Sequence, residues 1–83
     1  MKIGELLHSS KNNTTYAVLT IGQNHVYDHW QKTNNKWVRH NLVAKCAADQ
    51  MVLQEIKEWG KVVVFNTADI QAAIAAGTIK ETN

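Results

Sequence analysis

Apolar positions change their spacing several times along the chain, and each change marks an element. Ile3, Leu6 and Leu7 stand at i, i+3 and i+4, which predicts one or two helical turns, with a short strand as the alternative. Residues 9–13, Ser-Ser-Lys-Asn-Asn, are turn chemistry, because these side chains bond to nearby backbone and compete with regular structure. Over residues 14–21 the spacing falls to two: Ala17, Leu19 and Ile21 alternate with Tyr16, Val18 and Thr20 in a β-branched and aromatic run, which predicts a strand. Gly22, Gln23 and Asn24 turn the chain. Residues 25–32 and 36–42 read as two further strands joined by Thr33, Asn34 and Asn35, whose asparagines tolerate the positive φ of a tight hairpin. An antiparallel three-stranded meander is expected.

Residues 43–59 return to helical spacing. At about 100° per residue, Ala48, Val52, Leu53, Ile56 and Trp59 fall within an arc of about 140°, opposite Gln50, Gln54, Lys57 and Glu58. Met51 falls outside the stripe. Asn41 serves as N-cap and Gly60 as the C′ residue of this helix. Residues 62–65 are a continuous apolar run, short enough for a strand buried on both faces. Asn66 and Asp69 form a capping box that opens a helix over residues 67–76, closed by Gly77, with Ile70, Ala73 and Ile74 as its inner stripe. Residues 80–83 are expected to fray. The pattern thus predicts a single α+β domain over residues 1–83: an antiparallel three- to four-stranded sheet packed against one longer helix and a short C-terminal helix.

Composition limits the chemistry. The chain of 83 residues is 45% hydrophobic, carries a net charge of +2 and has one cysteine and no proline, so it is too apolar and too weakly charged for disorder. A single Cys46 excludes an intramolecular disulfide and a cysteine-based zinc framework, and it points to a reducing, cytoplasmic setting. The first ten residues hold too few apolar side chains for a signal peptide or a membrane span. Four histidines, at positions 8, 25, 29 and 40, invite a metal. His25 and His29, however, lie about 13 Å apart along a strand, so no ligand set forms and no metal or other cofactor is expected. Cys46, between alanines on a helix, reads as core rather than nucleophile. Glu55 and Glu58 sit on a solvated helix face, and the four glycines are isolated turn or cap positions rather than a phosphate loop. Catalysis is not expected.

Charge, by contrast, is concentrated. Residues 25–45 hold Lys32, Lys36, Arg39 and Lys45 against Asp28 alone, a local excess of +3, while the remaining residues sum to −1. The same stretch contains Tyr27, Trp30 and Trp37, half of the aromatic residues. With Val38 and Leu42 turned inward, Trp37 and Arg39 face outward, where Tyr27 and His29 join them across the sheet. Tyr27, His29, Lys32, Lys36, Trp37, Arg39 and Lys45 therefore make up the candidate partner-binding surface. The same residues also suffice as a cross-strand aromatic pair with a cationic neighbour that only stiffens the sheet.

The order short helix, three strands, helix over residues 1–59 resembles that of the double-stranded-RNA-binding domain, and Ala44-Lys45-Cys46-Ala47-Ala48 resembles the alanine-rich start of that family's second helix. That family clusters lysines there, where this chain has Lys45 alone, and this chain continues with a strand and a helix after Gly60, so membership is not assigned. A sequence pI near 8.8 is below the value above about 9 typical of dedicated nucleic-acid domains. The expected function is a non-catalytic binding module, an inhibitor or adaptor of the kind found among phage and mobile-element accessory proteins. Its partner is a protein with an acidic or nucleic-acid-binding surface, with nucleic acid as the alternative ligand and no membrane. The 62–65 strand, if left at a sheet edge, opens a route to a homodimer.

Overall fold

A computed structural model describes residues 1–57 and 60–82 of the chain. Among them seven strands and one α-helix follow one another: β1 (Leu6–Ser9), β2 (Thr14–Ile21), β3 (His25–Thr33), β4 (Lys36–Ala44), β5 (Gln50–Glu55), β6 (Val62–Asn66), α1 (Thr67–Ala76) and β7 (Ile79–Thr82). Five strands form one sheet in the order β6-β5-β2-β1-β7, and β3 and β4 form a separate two-stranded ribbon. Every pairing is antiparallel.

The predicted fold class is overturned. In place of a small sheet under a long helix, the protein is mostly β, with α1 as the one helix among the described residues. Residues 43–57 contain no helix. Val43 and Ala44 finish β4, residues 45–49 are a connection, and Gln50–Glu55 is a strand between β2 and β6. Asn41 and Gly60 accordingly cap nothing; Asn41 lies within β4 and donates from Nδ2 to Asp28 Oδ1 at 3.2 Å. The far end of the expected helix, Glu58 and Trp59, lies outside the described residues.

The physical reason is burial on both sides. Met51 and Leu53 project into one hydrophobic cluster and Val52 into another on the opposite face of the sheet, all three essentially inaccessible to solvent. A strand covered on both faces loses its alternation and presents the same short apolar run as a buried helix. Met51, which the helical stripe could not accommodate, was the signal of the true period.

The larger cluster brings together Leu7, Tyr16, Val18, Met51, Leu53, Ile70 and Ile79, with Phe65, Ala73 and Ile74 packed at its rim. Helix α1 covers this face through Ile70, Ala73 and Ile74, the stripe its sequence predicts. Tyr16 and Phe65 meet edge to face with ring centroids 6.2 Å apart, a favoured aromatic geometry. The predicted capping box does not form, since Asn66 makes no side-chain bond to the helix backbone and reaches only the Asp69 carboxylate at 3.5 Å. Gly77 ends the helix with φ 82°, its N–H donating to the Ile74 carbonyl, as a left-handed C′ residue does.

Both chain ends are strands. Leu6 and Leu7 belong to β1, the alternative to a helical turn, and Leu7 is fully buried opposite Tyr16. The expected frayed tail is instead β7, paired with β1 through residue Thr82, and Asn83 lies outside the described residues. With no helical start and no second helix at residue 44, the order that resembled a double-stranded-RNA-binding domain is absent. No helix among the described residues is long and apolar enough to cross a membrane.

Candidate functional site: an exposed basic and aromatic ribbon

The ribbon leaves the sheet at Gly22 and returns at Gln50, and four short contacts tie its base. Gly22 N–H donates to the Gln50 carbonyl at 2.8 Å and Thr20 Oγ1 to the Gln23 carbonyl at 2.6 Å. Cys46 N–H donates to Asn24 Oδ1 at 2.8 Å and Ala47 N–H to Gln50 Oε1 at 3.1 Å. Cys46 itself is a buried free thiol whose Sγ donates to the Gln50 carbonyl at 3.0 Å. It packs with Ala44 and Val52 in the second cluster, against which Leu19 and Tyr27 lie.

Register decides which side chains share a face. Asn34 and Asn35 both have positive φ, 51° and 61°, the signature of a two-residue type I′ turn. Thr33 therefore pairs with Lys36, and the ladder runs Lys32 with Trp37, Trp30 with Arg39, Asp28 with Asn41 and Val26 with Val43. A three-residue turn at Thr33, Asn34 and Asn35 would have set Tyr27 and His29 beside Trp37 and Arg39. One residue fewer in the loop shifts the partner strand by one and sends every β4 side chain to the other face relative to β3. The expected grouping is thus corrected: Tyr27 pairs with Leu42 and His29 with His40, on the face that leans toward the sheet.

On that inner face Tyr27 is half-buried against the second cluster, and burial pushes its phenol above the usual value. His29 Nδ1 comes within 3.5 Å of Gln54 Nε2 on β5. Lys36 lies on the same face beside the turn, and Lys45 is exposed just past the end of β4. The outer face carries Val26, Asp28, Trp30 and Lys32 from β3 and Trp37, Arg39, Asn41 and Val43 from β4, all exposed. Of the seven predicted residues it holds Lys32, Trp37 and Arg39.

The residues missed were Trp30, Val26 and Val43. Strand alternation already grouped Trp30 with Lys32; only the turn length was needed to bring Arg39 and Trp37 beside them. The narrow hydrogen-bonded pair of a two-residue turn is the one flanking it, so alternation makes all four outer pairs non-bonded ones, in which side chains approach most closely. Lys32 Nζ sits 5.9 Å from the Trp37 ring centroid, within cation–π range. Trp30 and Trp37 remain 54% and 57% exposed. Each tryptophan faces a cation across the ribbon, and the two valines close the strip at its base.

No three His, Cys, Asp or Glu side chains among the described residues are placed to hold a metal ion. Family models, curated proteins and solved structures were all searched, and none matches this chain.

Proposed function

We propose that the protein is a non-catalytic binding module that docks on an acidic protein surface through the outer face of the β3-β4 ribbon. The supporting observation is the exposure of Trp30 and Trp37, each opposite a cation, on a strip with no core of its own to cover. Tryptophan and arginine dominate interface energetics, and a ribbon held by backbone pairing presents them at low ordering cost. The cations Lys32 and Arg39 outnumber Asp28, which is occupied by Asn41 at 3.2 Å, so the strip favours a negatively charged partner. A reducing, cytoplasmic setting accords with the buried free thiol of Cys46. Docking of this kind acts by occupancy, inhibiting a partner whose acidic or nucleic-acid-binding site it covers.

The test compares the parent with a Trp30→Ala, Arg39→Ala variant. Partners captured from extract by the parent are expected to bind the variant at least about 30-fold more weakly, the effect of losing one hot spot, with unchanged far-UV circular dichroism. Generic DNA and RNA are titrated alongside at low and high salt. Tight nucleic-acid binding that collapses with salt overturns the protein reading in favour of nucleic acid, and equal capture by parent and variant removes the ribbon from function.

A further inference from the structure

One strand edge lacks the devices that keep sheets from pairing with one another. Charged side chains, prolines and bulges ordinarily blunt exposed edges. At one end of the five-stranded sheet β7 carries Lys80 and Glu81, and in the ribbon β3 carries Asp28 and Lys32 while β4 carries Lys36 and Arg39. At the other end β6 reads Val-Val-Val-Phe-Asn, without charge or proline and without a register shift against β5.

The pairing shows what this edge offers. Glu55 N–H donates to the Lys61 carbonyl at 3.0 Å and Thr67 N–H to the Asp49 carbonyl at 2.9 Å. By alternation the backbone groups of Val63 and Phe65 also turn toward β5, and those of Val62, Val64 and Asn66 turn away from the sheet. The side chains of Val62 and Val64 lie on the face shared with Val52 and Gln54, and Val64 is 49% exposed. Apolar side chains and outward-facing backbone groups thus coincide on one short strand.

We infer that β6 is a self-pairing edge, through which two copies of the chain join antiparallel about a two-fold axis at Val64. In that register Val64 meets Val64 of the second copy and Val62 meets Asn66, each pair exchanging both backbone bonds, and the exposed valines form one ladder across the joint. A second copy is the fitting occupant because a two-fold contact requires a self-complementary patch. β6 is one, since it brings no charge that a partner strand must match. The proposal rests on the sheet edge alone, so its failure leaves the ribbon reading untouched, and the reverse holds as well.

Sedimentation equilibrium of the full chain between ~10 µM and ~0.5 mM, a range that covers weak association, is expected to show the mass rising from the 9.3 kDa monomer toward the dimer and no further. Val64→Lys is expected to move association to at least about ten-fold higher concentration with circular dichroism unchanged, while Lys80→Glu on the opposite edge leaves it unaltered. Should Val64→Lys fail to fold, a cysteine test replaces it, Cys46 being buried: Val64→Cys cross-links under mild oxidation and Val62→Cys does so far more slowly. A parent that stays monomeric throughout, equal effects of the two charge variants, equal cross-linking at both positions, or growth beyond the dimer overturns the proposal.

Discussion

Replacing Gly22 with alanine strikes the joint where β2 hands the chain to the ribbon. Gly22 has φ 66°, and a Cβ built there lies 3.1 Å from the Ala48 carbonyl oxygen, on the returning strand connection. Left-handed backbone costs an ordinary L-residue about 1–2 kcal/mol. The contact adds to this, because the Gly22 N–H is held on the Gln50 carbonyl at 2.8 Å and the backbone has little freedom to swing away. Together these amount to about 2 kcal/mol, so the melting temperature should fall by about 8–16 °C, at about 4–8 °C per kcal/mol for a domain of this size. Gly77→Ala is the control: its φ is 82°, but nothing lies within 4 Å of its Cβ. Only the backbone cost of about 1 kcal/mol applies there, with a fall of about 4–8 °C. Thermal unfolding followed by far-UV circular dichroism measures both. A Gly22→Ala protein no less stable than Gly77→Ala would refute the argument that the ribbon is locked to the sheet at this turn.

Two further outcomes follow from the sheet. Leu53→Ala, at a fully buried position of the larger cluster, should cost about 2–5 kcal/mol; in urea titrations a loss below about 1 kcal/mol would mean that β5 is not a strand buried between β2 and β6. Stability should also fall in acid. The Lys61 backbone N–H at 3.1 Å, then the Lys57 ammonium at 3.3 Å, hold the Glu55 carboxyl below its ordinary value of 4.5 against the opposing effect of desolvation. A folded-state value lower than the unfolded one means that the unfolded chain binds more protons between the two. The Glu55 stabilisation is therefore complete above pH 4.5 and is lost as the pH falls through the lowered value. Urea midpoints that stay constant from pH 5 to pH 3, or a Glu55→Gln variant with undiminished pH dependence, would contradict this.

The candidate site was legible up to its last step. The +3 excess and the clustered aromatics of residues 25–45 stand in the sequence, as does the alternation that sets Trp30 and Lys32 on one face of β3. Which β4 residues join them depends on whether the turn holds two residues or three. The Asn34-Asn35 pair, each able to take positive φ, favours two, and the Thr33 beside them admits three. Lys45 and Lys36 illustrate the remaining distance between charge and site: both are cationic and close in sequence to the strip, yet Lys36 lies on the opposite face and Lys45 beyond the end of β4.

By itself the sequence determined the elements whose pattern is one-sided. Thr14–Ile21 alternates, the ribbon strands are bounded by turn residues, and α1 with its Gly77 stop carries a stripe that faces one cluster only. The tertiary structure decided everything that is covered from two directions or completed by a distant partner. Gln50–Glu55 is a strand because β2 and β6 take its backbone bonds and its two faces are buried in different clusters. Ile79–Thr82 is ordered because β1, some seventy residues earlier, supplies the ladder it lacks locally. Periodicity reports which side of an element meets water. Where neither side does, or where the partner is remote, the local signal vanishes and only the assembled sheet supplies the answer.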